Sequence, residues 1–400
     1  FQRSRRFIIM SRLNVGNLFN ENEDGAPVVS GISTFSSPYY FVPPSGSTAQ
    51  RPSNPGEGMI RFNTDSGHLE YYSGELWVDV IVNNNELGDQ NLTNSAGGTG
   101  TRGLFAGGYL TPTGNCTDEV DYITVETLGD AQDFGNLVDA RAGGGNCADR
   151  TRAVYAGGRG PTTPGGSDTA NITFTTIAST GNYADSNGDL SDAVGARGVS
   201  NSTRGLFGTF IFPYADTVDY VTIQSLGNAQ DFGNLTEIRG YGMAVSSPVR
   251  AVFAGGIRTP NNLGVNTMDY VTISSTGNAQ EFGDLVSGSL AYSGGNVHNS
   301  TRGIIGAGTG LNKKMDFITI ATTGNAQAFG ELDTLTHSNK GSCSSPTRGI
   351  FAGGYHPSSP SVDNIEYITI LSTGSGIDFG DLNDGTYEIG GNSNGHGGLG

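Results

Sequence analysis

Thr101 to Gly108 reads TRGLFAGG, and the fold is decided by how often that string comes back. Related strings open at Thr151 (TRAVYAGG), Thr203 (TRGLFGTF), Val249 (VRAVFAGG), Thr301 (TRGIIGAG) and Thr347 (TRGIFAGG), at spacings of 50, 52, 46, 52 and 46 residues. A period in this range marks a stack or ring of supersecondary units. Helical units would show a 3.6-residue apolar period, and these strings do not.

Each unit repeats one internal plan. An apolar strand ends in a glycine pair and is followed by a variable loop, then by an alternating strand such as Asp121 to Val125. Gly129-Asp130, Gly227-Asn228, Gly277-Asn278 and Gly324-Asn325 turn the chain, because glycine reaches the backbone angles that tight turns need. A short strand then carries an aromatic before glycine (Phe134, Phe232, Phe282, Phe329, Phe379), and a small-residue strand leads into the next unit. Four strands per unit is the size of a propeller blade. The expected fold is all-β: a six-bladed β-propeller with four-stranded blades over 101–400. A seventh blade from 58–100 is the alternative count.

A ring has to pair its last blade with its first or leave two sheet edges open. Gly390-Gly391-Asn392-Ser393 matches Gly294-Gly295-Asn296-Val297, so residues 385–398 are expected beside Arg102 to Tyr109. Ser95-Ala96-Gly97-Gly98 is the local competitor. The slot four residues before each later repeat start reads Cys147, Val199, Val245, Val297 and Cys343, which makes both cysteines small buried apolar groups.

Arginine recurs at Arg102, Arg152, Arg204, Arg250, Arg302 and Arg348. An acid recurs at Asp121, Asp219, Asp269, Asp316 and Glu366, with Thr173 in that place in the second repeat. An anion-binding ring is one reading. A structural role, in which each arginine bonds a carboxylate or strand-end carbonyls, is the preferred one.

Composition narrows the function. The chain has 400 residues, 64 of them glycine, and 38 acidic against 21 basic residues give a net charge of −17. Such a surface repels a phosphate backbone, so nucleic acid is not an expected partner. No run reaches the ~18 apolar residues of a membrane span. Three cysteines form no CxxC pair and five scattered histidines show no metal spacing, so neither metal nor cofactor is expected. No nucleophile motif or paired catalytic carboxylates stand out, and the chain is not expected to be an enzyme. Residues 1–9 read as an upstream extension before Met10.

Residues 10–57 form a Pro-, Ser- and Gly-rich extended attachment segment. After it, residues 58–100 hold a three-strand meander, Gly58 to Asn63, Leu69 to Tyr72 and Glu75 to Val80, with the only tryptophan, Trp77. A meander this small needs a partner, so an attachment or oligomerisation role is expected.

The apolar run, glycine pair, tyrosine-like slot (Tyr122, Phe174, Tyr220, Tyr270, Phe317, Tyr367) and later aromatic resemble the kelch repeat, with Phe where kelch has Trp. The second repeat departs from it at Asn187, and the third lacks the glycine pair, having Thr209-Phe210. The meander, read as Gly-x-Ile-Arg-Phe-Asn-Thr-Asp, Glu-Tyr-Tyr and Trp-Val, resembles a module of tailed-bacteriophage tail and fibre proteins. The opening SRLNVGNLFN and the TRGLFAGG…DYIT repeats resemble virion proteins of marine phages, cyanophages among them. This resemblance implies a virion location, contacts with other virion proteins through residues 10–100, and a homo-oligomer, trimeric by analogy. The function it implies is a tail-fibre or appendage subunit that recognises a host-surface glycan or protein noncovalently. The alternatives are a purely structural capsid-decoration or tail subunit, then a cellular adhesin or a propeller enzyme.

The loops after the glycine pairs vary while the strands do not, and variable loops on a rigid scaffold are where recognition sits. They supply the candidate binding residues Tyr109, Arg159, Phe210, Phe212, Tyr214, Arg258, Tyr355 and His356. Aromatic and arginine side chains of this kind stack on sugars or fill protein pockets.

Overall fold

The computed structural model describes residues 43–66, 68–79, 101–160, 168–191, 195–208, 214–258, 263–286, 294–306, 308, 313–333, 340–356 and 362–399. Two compact units divide the chain, Phe1–Asn85 and Glu86–Gly400. The sequence expectations for residues 1–9 and for Ser95 to Gly98 lie outside the described residues.

Among its described residues the larger unit is all-β and holds six four-stranded antiparallel sheets. The second sheet shows the plan: Gly145–Ala148, Arg152–Ala156, Asn171–Thr176 and Ala184–Asp189 follow one another from first strand to outer strand. The third sheet starts at Arg197–Ser200, the fourth at Met243–Ser246, the fifth at Gly295–His298 and the sixth at Gly341–Ser344. The first sheet differs in one respect. Its strands Arg102–Ala106, Glu119–Thr124 and Gln132–Asn136 take their fourth member from the chain's end, Gly390–Ser393. That strand pairs Gly390 with Ala106 and Ser393 with Gly103, and Thr386–Tyr387 pairs with Tyr109–Leu110.

The repeated residue types follow from the repeated register. In each sheet the pairing of third and outer strands shifts next to the slot of the recurrent acid, as between Val120 and Asp121 or Met268 and Asp269, and next to Thr173 in the second sheet. Val120 pairs with Gly135 and Asp121 with Asp133, so Phe134 is the extra residue of a bulge. The bulged aromatic meets the tyrosine-slot ring edge to face: Tyr122–Phe134 at 6.1 Å, Tyr220–Phe232 at 5.8 Å, Tyr270–Phe282 at 6.0 Å, and Phe317–Phe329 and Tyr367–Phe379 at 6.2 Å. The second sheet has Asn187 there, at φ 57°.

Apolar burial lies between sheets rather than within them. Leu104, Val120 and Phe134 of the first sheet pack with Ala153, Tyr155 and Ile177 of the second. The pattern continues around the order, and Cys343, Ile350 and Phe379 of the sixth sheet share a cluster with Phe105, Ile123 and Val125 of the first. The two cysteines Cys147 and Cys343 are buried in such clusters, and burial pushes both thiols well up from their usual range.

The recurrent arginines tie one sheet to the next. Arg102 Nη1 donates to Ile177 O at 2.9 Å, Arg204 to Ile273 O at 3.0 Å and Arg302 to Ile370 O at 3.1 Å. Arg152 reaches Ile223 O and Gln224 O, and Arg250 reaches Ile320 O and Ala321 O. Arg348 reaches Val125 O, back in the first sheet. Each guanidinium also lies over the tyrosine-slot ring of its own sheet, from 4.3 Å (Arg302–Phe317) to 4.8 Å (Arg204–Tyr220).

The recurrent acids bind a different partner: the chain leaving the previous sheet. Ser191 N and Oγ donate to Asp219, Thr236 to Asp269, Val286 N to Asp316, Asp333 N to Glu366, and Asn383 to Asp121. Arg239 also pairs with Asp269 at 2.8 Å and Lys340 with Glu366 at 3.9 Å. In the second sheet, where Thr173 replaces the acid, Arg141 Nη2 donates to its hydroxyl at 2.7 Å.

In the N-terminal unit, Ile60–Asn63, His68–Tyr72 and Trp77–Asp79 form the expected antiparallel meander. A fourth strand, Ser45–Gly46, adds parallel to Ile60–Asn63 and makes the sheet mixed. The meander reading missed it because two residues in a Pro- and Gly-rich run carry no period-2 pattern. One face holds Glu70 between Arg51 and Arg61, and its carboxyl is held below the usual range chiefly by the bond from Arg51. Ile60, Phe62 and Tyr71 are exposed.

Candidate recognition site

Alternating strand direction brings two sets of connections to one end of each sheet. The loops after the glycine pairs leave there, and so do the links from each outer strand to the next sheet. Residues from both sets meet around Tyr387. Its ring lies 5.2 Å from Tyr109 and 5.3 Å from Tyr355, the first placed by strand pairing across Tyr109 and Tyr387. Tyr109 is buried at 7% exposure, Tyr387 is half-buried and Tyr355 is 41% exposed, so the rings step from interior to solvent. Tyr214 meets Tyr241 edge to face at 6.1 Å.

Charged groups sit among these rings. Arg159 is anchored by a backbone bridge to Ala142 and lies 3.9 Å from Asp168. Cys116, bridged to Tyr109, donates its thiol to the carbonyls of Arg159 and Gly160, and burial pushes its pKa up to about 11. Burial pushes the Glu388 carboxyl up, against the pull of Arg197 and Arg159. After burial, the Glu388 charge is the next influence raising the Tyr109, Tyr241 and Tyr387 hydroxyls. The Glu388 charge thus acts on Tyr109, Tyr241 and Tyr387, and Tyr355 and Tyr214 join them by ring contact.

Two of these residues hold an unusual backbone. Glu388 has φ 56° and Tyr241 φ 60°, each two residues before a first strand, and Gly143 occupies the same slot with φ 69°. The Gly143 amide donates to the Glu388 carbonyl at 3.0 Å. Left-handed backbone costs an L-residue on the order of 1–2 kcal/mol, and glycine carries no such penalty. Asn187 and Leu226 also have positive φ, at 57° and 50°, in the outer parts of their sheets.

Of the candidates read from sequence, Tyr109, Arg159, Tyr214 and Tyr355 fall in this neighbourhood. Arg258 is exposed and faces Glu237 at 3.6 Å, and His356 is half-buried beside Tyr355 in the chain. Phe210 and Phe212 lie outside the described residues. Sequence reasoning missed Tyr241, Arg197, Tyr387 and Glu388 because it searched only the loops after the glycine pairs. The signal was a large side chain placed just before a small-residue strand, as in Tyr387-Glu388-Ile389-Gly390.

A second polar cluster lies where the first strands of the sheets come together. Ser200 Oγ donates to Ala148 O at 2.7 Å, Ser246 Oγ to Ser200 O at 2.8 Å and Ser344 Oγ to His298 O at 2.9 Å, while Ser393 Oγ donates to Ser344 O. His396 Nε2 donates to Ala148 O at 2.8 Å. The cavity among these residues is about 40 Å³, room for a water or two. The tail lies over it: Gly398 approaches Ser200 O so closely that a Cβ would sit 1.7 Å away, and Leu399 O accepts from Arg150. Among the described residues, no group of three or more His, Cys, Asp or Glu is placed to hold a metal.

No protein-family model matches the chain, and no curated protein matches it.

Proposed function

We propose that the six sheets are the blades of one closed, kelch-like β-propeller, and that the chain is a virion protein of a tailed bacteriophage. It belongs in this reading to a tail fibre or appendage and recognises the host surface noncovalently, without turnover. The observation that carries recognition is the gathering of Tyr109, Tyr387, Tyr355, Tyr214 and Tyr241 with Arg159, Arg197 and Glu388 at one end of the sheets. Closure is supported by the pairing of Gly390–Ser393 with Arg102–Ala106 and by the bond from Arg348 to Val125. The virion assignment rests on the sequence resemblance.

Tyrosine suits such a face because it offers a broad apolar ring and a polar tip with few rotamers to freeze. The N-terminal sheet supports an attachment role, since Ile60, Phe62 and Tyr71 leave an apolar face exposed. Antibody raised against residues 101–400 and imaged on purified particles tests the assignment. Label at a tail or fibre tip, together with competition of the protein for host-cell adsorption, supports it. Label over the shell makes the protein a structural subunit, and unlabelled particles remove the virion reading.

A further inference from the structure

We propose that Glu388 and Tyr241 are the specificity-determining residues of the recognition face, and that the ligand they select is a saccharide. The inference rests on the recognition reading above and adds the residues and the ligand chemistry.

The backbone supplies the first argument. Among the described residues, three first strands are preceded two positions earlier by a left-handed residue, and Gly143 shows that glycine fills that place without strain. At the equivalent positions the chain carries Tyr241 and Glu388, both strained. Neither side chain is there for the backbone's benefit. Both belong instead to the neighbourhood that holds Tyr109, Tyr387, Arg159 and Arg197.

Tyr355 is the one ring of this group that is more than a third exposed, and Tyr387 and Tyr241 are half-buried. A protein partner dries a patch at the centre of its contact, whereas in this group only Tyr355 is more than a third exposed. A sugar needs less: one ring for its C–H face and planar carboxylate or guanidinium groups for its hydroxyl pairs. Tyr355, Glu388, Arg159 and Arg197 supply both. A chain charge of −17 disfavours a polyanion.

The test uses the full chain on a printed panel of neutral and acidic oligosaccharides, with Glu388→Gly, Glu388→Gln and Tyr241→Gly beside the wild type. Wild-type binding to a defined saccharide is expected. Glu388→Gly is expected to raise Tm by about 1–2 °C while weakening binding by about tenfold or more. Glu388→Gln keeps the strain and removes only the buried charge, so the Tm gain of Glu388→Gly over Glu388→Gln reads the strain alone, while binding falls in both. A Glu388→Gly variant that still binds overturns the role of Glu388, and one no more stable than Glu388→Gln overturns the strain. Wild type that ignores the panel yet binds host cells stripped of glycans overturns the saccharide and leaves recognition standing. Wild type that binds neither intact cells nor the panel removes both.

Discussion

Arg348 donates from Nη1 to the carbonyl of Val125 at 3.1 Å, joining the sixth repeat to the first across 223 positions of chain. The same bond joins every neighbouring pair of sheets, and each guanidinium also lies over an aromatic ring of its own sheet. One side chain thus holds two sheets together, which explains why arginine returns in all six repeats. Lysine cannot replace it, because only the planar fork stacks and donates at once.

Arg348→Met should therefore lower stability by about 1–3 kcal/mol, the sum of a charged hydrogen bond and a cation–π contact. Arg348→Lys should recover only part of that. Binding by the tyrosine face should be unchanged in both. Thermal melts followed by circular dichroism check this, and an unshifted midpoint for Arg348→Met would remove the inter-sheet role.

Glycines at the outer edge make a paired test. A Cβ on Gly283 would lie 2.4 Å from Gly324 O in the next sheet, while a Cβ on Gly324 meets nothing within 4 Å. Both have positive φ, 145° and 154°. Gly324→Ala carries the backbone strain alone, about 1 kcal/mol. Gly283→Ala adds a backbone clash and should cost about 2–4 kcal/mol. Equal losses in urea titrations would mean that the close approach between sheets is not a constraint.

These examples show why part of the molecule was legible in the sequence. The arginine, the acid and the bulged phenylalanine sit at one register in sheet after sheet, so the geometry writes them into the sequence as a period. Glu388 and Tyr241 answer to no period. Each occurs once, in a link that differs from repeat to repeat, and its importance lies in a backbone angle that sequence does not display. Ser45–Gly46 is too short to alternate, and His396 belongs to a tail with no counterpart in the other repeats.

Cys147 offers a test of the inter-sheet core. It shares its slot with Val199, Val245 and Val297, and a Cβ on Gly205 of the next sheet would lie 2.4 Å from its Sγ. Val245 stands in the same relation to Gly303, at 2.6 Å from Cγ2. Valine already fits against glycine in this fold, so Cys147→Val should change stability by less than about 1 kcal/mol. Gly205→Ala should cost about 1–3 kcal/mol, and Cys147→Ala should recover part of it. A double-mutant cycle with no coupling would place the two residues out of contact.

The histidines near the tail predict how stability depends on pH. Burial lowers the His298 pKa to about 3, with a further push from His396 at 5.5 Å between ring centroids. Burial also lowers His396 to about 4, despite its bond to Ala148 O. Both are neutral in the folded protein, whereas an unfolded histidine takes up a proton near pH 6.5. Between those limits the unfolded state binds more protons, so stability rises with pH there. The contribution is complete above about pH 6.5 and is lost as pH falls toward 4. Raised carboxyls at Glu119, Asp121 and Glu388 push the other way, because acid relieves their burial. A comparison with His396→Leu, which cannot donate to Ala148 O, separates the two. The variant loses a hydrogen bond at every pH, which shifts its whole curve, but it cannot titrate, which flattens the slope between pH 6.5 and 4. Urea midpoints measured across that range should therefore converge with the wild type as pH falls. Curves that stay parallel would show that His396 does not remain neutral and buried in the folded chain.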